Sequence, residues 1–177
     1  MFLLSYFMKN ILFIGILSAI AITSCSKKEY ASFTHQGFDG WKAFNGIVIK
    51  KIEHSTEIMI ASKIKNPTSA GTTHGAYLII PKTIAEPFGG GTVLVSFNAK
   101  SGDINGSDAI WVTYSTNEVG NSGWRKFKLS KNLTKYSFEY TVLPFEIGGE
   151  DYIGFNSDIN GGGKTAIIDK VEIQRIN

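Results

Sequence analysis

From Ser32 onward the chain runs in short apolar stretches that alternate with polar residues at period two, and no stretch keeps a helical period. Clusters of glycine, asparagine, aspartate and serine separate these stretches at 89–91, 101–107, 118–123 and 158–163. Strands are therefore expected near 43–50, 57–64, 75–80, 92–100, 109–116, 124–130, 135–142, 151–157 and 165–175. In a chain of 177 residues that number of strands suits one all-β domain of two packed antiparallel sheets.

Alternation also assigns faces, because successive strand side chains point to opposite sides of a sheet. Val93, Val95, Phe97 and Ala99 are expected in the core, with Asn98 on the opposite face. By the same logic Ile110, Val112 and Tyr114 face inward and Trp111 outward; Tyr136, Phe138, Tyr140 and Val142 face inward and Glu139 outward. Ile153 and Phe155 go to the core, opposed by Tyr152 and Asn156. In the last strand Ile167, Val171 and Ile173 share one parity, and Asp169 falls in that apolar row. A carboxylate on a core face is costly unless it is paired, hydrogen-bonded or metal-bound, so Asp169 is expected to have a partner. The alternative is a β-bulge that turns it outward.

The first residues have a different character. Ile11 to Ile22 form an apolar run too short to span a bilayer, preceded by Lys9 and closed by small polar residues, which is the layout of a signal peptide over 1–24. Ile22-Thr23-Ser24-Cys25 resembles a bacterial lipobox, and Cys25 is the only cysteine in the chain. Cys25 is then expected to carry lipid and anchor the protein to a membrane; the alternative is an ordinary secretion signal with an incidental cysteine. Residues 25–31 read as the lipidated cysteine and a tether, and 32–177 as the folded domain. One cysteine closes no intramolecular disulfide and makes no CxxC centre. Without the leader, which holds only Lys9, 17 of the 18 basic residues stand against 15 acids, a balance that argues against nucleic acid as a partner.

Several segments together resemble a known family. Gly37-Phe38-Asp39-Gly40-Trp41 is similar to the opening of cleaved-adhesin, or choice-of-anchor J, domains. Ala76-Tyr77-Leu78-Ile79-Ile80-Pro81-Lys82, Val95 to Lys100, Val112 to Thr116, Trp124, Ile153-Gly154-Phe155 and Ile168-Asp169-Lys170-Val171 continue the likeness. Carbohydrate-binding modules of the galactose-binding-like jelly-roll type share much of the pattern. The resemblance implies a jelly-roll β-sandwich on a secreted or surface-anchored bacterial protein, active in adhesion or glycan binding, often with one structural calcium. The calcium carboxylates of the family carry over to Asp39 and Asp169; Asp39 reads equally as a turn aspartate beside Gly40. Relatives often have a second acid in the opening, absent here, and Lys170 stands where an acid or asparagine is common.

Catalytic signatures are few. Gly161-Gly162-Gly163-Lys164-Thr165 lacks the first glycine of a phosphate loop and leads into a strand, and Asn156 to Gly161 starts like a calcium loop but has Ile167 where glutamate is required. A glycine-rich turn is the plainer reading. His35, His54 and His74 lack zinc spacing, and there is no GxSxG elbow. Glu139 and Asp151 would make a glycosidase pair only across a cleft of matched geometry.

The positive case is a binding surface. Trp111 offers an aromatic platform, and Asn98, Glu139, Tyr152 and Asn156 offer outward polar groups; Tyr77 is a further candidate in an otherwise apolar parity row. Sugar rings have apolar faces and a polar rim, which such a surface complements. The expectation is a monomeric, non-catalytic lipoprotein of the cell envelope, in the outer membrane, that binds a glycan or a host, matrix or envelope protein. A structural envelope subunit and a small glycan hydrolase are the alternatives.

Overall fold

The computed structural model describes residues 30–44, 46–63, 65, 75–116, 120–144 and 150–177. The leader, Cys25 and His74 lie outside the described residues. The strands are β1 (Ser32–Gln36), β2 (Trp41–Ala43), β3 (Ile47–Lys51), β4 (Ile58–Ser62), β5 (Ala76–Ile80), β6 (Thr92–Ser101), β7 (Ala109–Ser115), β8 (Arg125–Lys128), β9 (Thr134–Thr141), β10 (Asp151–Asn156) and β11 (Thr165–Arg175). A single helical turn, α1 (Lys82–Ala85), follows Pro81 and runs into a 3-10 turn, Glu86–Phe88.

These strands form two antiparallel sheets. The first has the order β3-β4-β11-β6-β9, with β1 also paired to β11, and the second has the order β2-β5-β10-β7-β8. Their inner faces meet in one core. Val93, Val95, Phe97 and Ala99 of the first sheet are buried against Leu78, Ile110, Val112, Ile153 and Phe155 of the second. Phe97 joins the layers: its ring lies 5.5 Å from that of Phe155 and 5.2 Å from that of Phe127 in edge-on contacts. Edge-to-face pairs of this kind add to the stabilisation from area burial alone.

Three elements escape the alternation pattern for simple reasons: β1, α1 and the three-residue β2, which is too short to show a period. In β1 only Phe33 is apolar among five residues, so too little contrast exists to show a period. The turn of α1 is four residues long, shorter than any helical repeat that periodicity can register.

β11 corrects the reading of the last strand. Its pairing with β6 shifts register between Ile168 and Val171. Ala166 and Ile168 therefore face the core before the shift, and Val171 and Ile173 after it, so the inward parity changes within the strand. A bulge adds one residue to one strand and moves every later side chain to the other face. Asp169 sits in the bulge, half-buried and outside the core row to which uniform alternation assigned it.

Phe97→Ala is expected to lower the unfolding free energy by about 3–5 kcal/mol. The measurement is the shift of the urea midpoint at unchanged slope. A shift no larger than that of the exposed Thr34→Ala would show that the ring does not hold the sheets together.

Candidate functional site

Residues that alternate with the core of the second sheet form its outer face. Register aligns them in rows across the strands: Lys42, Tyr77, Gly154 and Thr113 in one row, and Asn156, Trp111 and Lys126 in the next. Tyr77 is the centre of an aromatic group, 5.9 Å from Phe44 and 5.8 Å from Tyr152 between ring centroids. Phe44 is 43% exposed, enough to offer a ring face to a ligand. The ammonium of Lys126 lies 5.3 Å over the ring of Trp111, a cation–π contact.

Trp124 belongs to the same face. A Cβ built on Gly75 would stand 3.3 Å from the Trp124 ring and would collide with the carbonyl oxygen of Phe155. Glycine at 75 thus leaves room for an indole that reaches in from the segment before β8. Beneath this layer Thr113, Ser115 and Asn156 are buried, although their parity is outward. Asn156 is 1% exposed, and its Oδ1 accepts the Asp158 N–H at 2.8 Å. Its amide oxygen therefore holds the following turn, where Asp158 accepts from the N–H of Asn160 at 3.0 Å.

The six residues expected from the sequence to bind ligand divide between two faces. Trp111, Tyr77, Tyr152 and Asn156 come together on the second sheet. Asn98 and Glu139 lie on the outer face of the first sheet, on the far side of the sandwich, because β6 and β9 pair there. Parity gives a side of a sheet and says nothing about which sheet a strand joins. Phe44, Trp124, Lys42 and Lys126 are additional residues of the face. The sequence contained a partial signal for two of them, since Lys42 in β2 and Phe44 just after it alternate with Trp41 and Ala43. Trp41 turns the other way, with its indole N–H donating to the Gly37 carbonyl and its ring 5.5 Å from Phe155.

A cleft of about 360 Å³ opens on the first sheet, lined by residues that include Phe33, Leu94, Lys135 and Glu172. Its charged groups are already paired, Lys135 to Glu172 at 3.0 Å, and its one aromatic is the buried core residue Phe33. The exposed ring of Phe44 and the half-buried rings of Tyr77, Tyr152, Trp111 and Trp124 lie on the face of the second sheet, and the candidate surface is placed there.

The two carboxylates considered for hydrolysis are separated by the sandwich. Glu139 is exposed on the outer face of the first sheet, whereas Asp151 is 2% exposed inside the core, where the Tyr114 hydroxyl donates to it. Burial pushes the Asp151 carboxyl above its ordinary value, and the hydrogen bond from Tyr114 opposes that rise. Burial, and then the charge of Asp151, push the Tyr114 and Tyr140 hydroxyls up as well.

Asp169 has the partners that its position demands. Its Oδ1 accepts from Gln36 Nε2 at 3.0 Å and from Thr56 Oγ1 at 2.6 Å. Burial would raise its pKa, but hydrogen bonds from Gln36, Thr56 and Asn98, with the charge of Lys170, outweigh that and hold it below the ordinary value. Calcium needs several oxygen ligands gathered at one point. Among the described residues no three His, Cys, Asp or Glu side chains gather so, and Asp39 is exposed in the turn before β2.

No protein-family model matches the chain, and no curated protein matches it. Solved structures do. The chain superposes on the N-terminal CBM22-1-CBM22-2 tandem domain of Paenibacillus barcinonensis Xyn10C with a TM-score of 0.56 and 11% identity, covering 84% of this chain and 45% of that one. The fold is the jelly-roll sandwich of carbohydrate-binding modules. A second neighbour is the CBM22-1-GH10 portion of the Clostridium thermocellum xylanase Xyn10B complexed with xylohexaose, at TM-score 0.51 and 17% identity, covering 84% of this chain and 28% of that one. A third, BiXyn10A CBM1, gives 0.53 and 11%, covering 82% of this chain and 98% of that one. The chain thus spans less than half the length of the first two.

Asp169→Asn and Asp151→Asn are expected to depend on pH with opposite signs. A lowered native pKa stabilises above the unfolded value and loses that effect as pH falls through the native value, so Asp169→Asn should cost about 1 kcal/mol at neutral pH and progressively less as pH drops below ~4. A raised native pKa stabilises at low pH and loses the effect as pH rises, so wild type should lose stability relative to Asp151→Asn between pH ~4 and neutrality. Denaturant midpoints from pH ~2 to neutrality measure both slopes, and parallel curves would refute the assignments.

Proposed function

We propose that this domain is a non-catalytic glycan-binding module, with its ligand lying across the outer face of the second sheet. The aromatic group of Phe44, Tyr77, Tyr152, Trp111 and Trp124 supports this reading. Flat rings on one sheet face match the apolar faces of pyranose rings, and the lysines and tyrosine hydroxyls around them supply donors for sugar oxygens. The fold shared with carbohydrate-binding modules, one of them solved with xylohexaose, agrees with that use of the surface.

Trp111→Ala and Tyr77→Ala are each expected to weaken glycan binding at least about tenfold, since truncated aromatic anchors at an interface centre cost the most. Affinity electrophoresis in a panel of polysaccharides, followed by titration with xylohexaose and the best-retained oligosaccharide, gives the readout. Unchanged retention of both variants, with melting temperatures preserved, would remove the face from the proposal.

We also place the domain in the cell envelope, tethered through lipid on Cys25, with the outer membrane as its site. The support is the lipobox-like Ile22-Thr23-Ser24-Cys25 after an apolar run, about seven residues before β1 begins at Ser32. Cys25→Ser should move the protein from the membrane to the soluble fraction after cell fractionation. Continued sedimentation with membranes would count against the anchor.

A further inference from the structure

The two outer faces of the sandwich treat charge in opposite ways. On the first sheet most outward charges are paired, Lys100 with Glu57 at 3.0 Å, and Lys135 at 3.0 Å and Lys170 at 2.6 Å with the shared Glu172, while Lys50 and Glu139 stand outside these pairs. On the second sheet the outward strand positions hold Lys42, Lys126 and Lys128 and no acid; Asp151, the one acid of these strands, points into the core. Among the described residues none of the three lysines forms an ion pair. The acid whose field reaches Lys126 is Asp108, which is engaged by Lys164 at 3.5 Å. A formal net charge of only +3 over the whole chain does not reveal this segregation.

The lysines flank the rings. Lys42 stands beside Tyr77 on β2, one edge of the sheet, and Lys126 stands over Trp111 on β8, the other edge. Four strand spacings separate those edges, roughly 19 Å across the surface. A chain molecule lying across the strands would meet an ammonium at each end and aromatic rings between. The Lys126 ammonium lies over the face of the Trp111 ring, so a ligand approaching that face meets a positive charge first. At that level a neutral hexopyranose presents a hydroxymethyl group at the rim of its ring, and a uronic acid presents a carboxylate. Only the second complements an unpaired ammonium.

Resting on the glycan-binding reading above, we propose that the second-sheet face selects an acidic polysaccharide, a polyuronate, with Lys42, Lys126 and Lys128 reading its carboxylates. The aromatic rings supply stacking common to sugars, and the lysines supply the discrimination. An attraction of this type weakens as salt rises.

The test is calorimetric titration of the chain with galacturonate and mannuronate hexamers, each beside its own methyl ester, which keeps shape and removes charge. At least one acid is expected to bind about tenfold tighter than its ester at low salt, with the ratio shrinking at about 0.15 M salt. In the Lys42→Gln/Lys128→Gln variant the ratio should fall toward one while the melting temperature stays. Equal or tighter binding of ester or xylohexaose, lost in Trp111→Ala, would overturn the acidic preference and leave glycan binding intact. Binding of no saccharide would overturn both. Tighter binding of oligothymidylate than of any uronate would also overturn the proposal, assigning the face to single-stranded nucleic acid.

Discussion

The dry contact between the two sheets governs everything outside it. Phe97 from β6 meets Phe155 from β10, and around that pair the aliphatic rows of both sheets interlock. Once these rows are committed to the interior, period-two geometry sends every intervening side chain to an outer face. Trp111 is outward because Ile110 and Val112 are inward, and Tyr77 is outward because Ala76 and Leu78 are inward. The candidate surface is in this sense a by-product of the core, positioned by strands instead of by flexible loops.

The core also accommodates a carboxyl group. Asp151 enters with Ile153 and Phe155 on the inward parity of β10, and it is met by the Tyr114 hydroxyl from β7, with Tyr140 packed beside Tyr114 at 5.5 Å. A buried carboxyl with a donor supplied costs far less than one left alone. Asp169 solves a related problem differently. The bulge in β11 lies where the neighbour of that strand changes from β4 to β1, and the carboxylate accepts from both sides of this junction, from Thr56 ahead of β4 and from Gln36 at the end of β1. The acid that looked like a buried anomaly is the tie between two strands that share one edge.

Much of the architecture was legible in the alternation, because a half-buried strand must place apolar residues on one side whatever its partners are. The all-β class, the two sheets and the inward rows of β6, β7, β9 and β10 follow from it. β11 was misread, since one inserted residue reverses parity and leaves no mark on composition. β1, with a single apolar residue, carried no pattern at all.

Local sequence thus determined which side of its own sheet each candidate residue occupies. Tertiary structure decided which sheet that was, separating Asn98 and Glu139 from Trp111, Tyr77 and Tyr152, and bringing Phe44 against Tyr77 and Trp124 against Gly75. The physical reason is range. Alternation is a property of neighbours along the backbone, whereas strand order is set by pairings between residues as far apart as Ser32 and Gln174, which only the folded chain brings together.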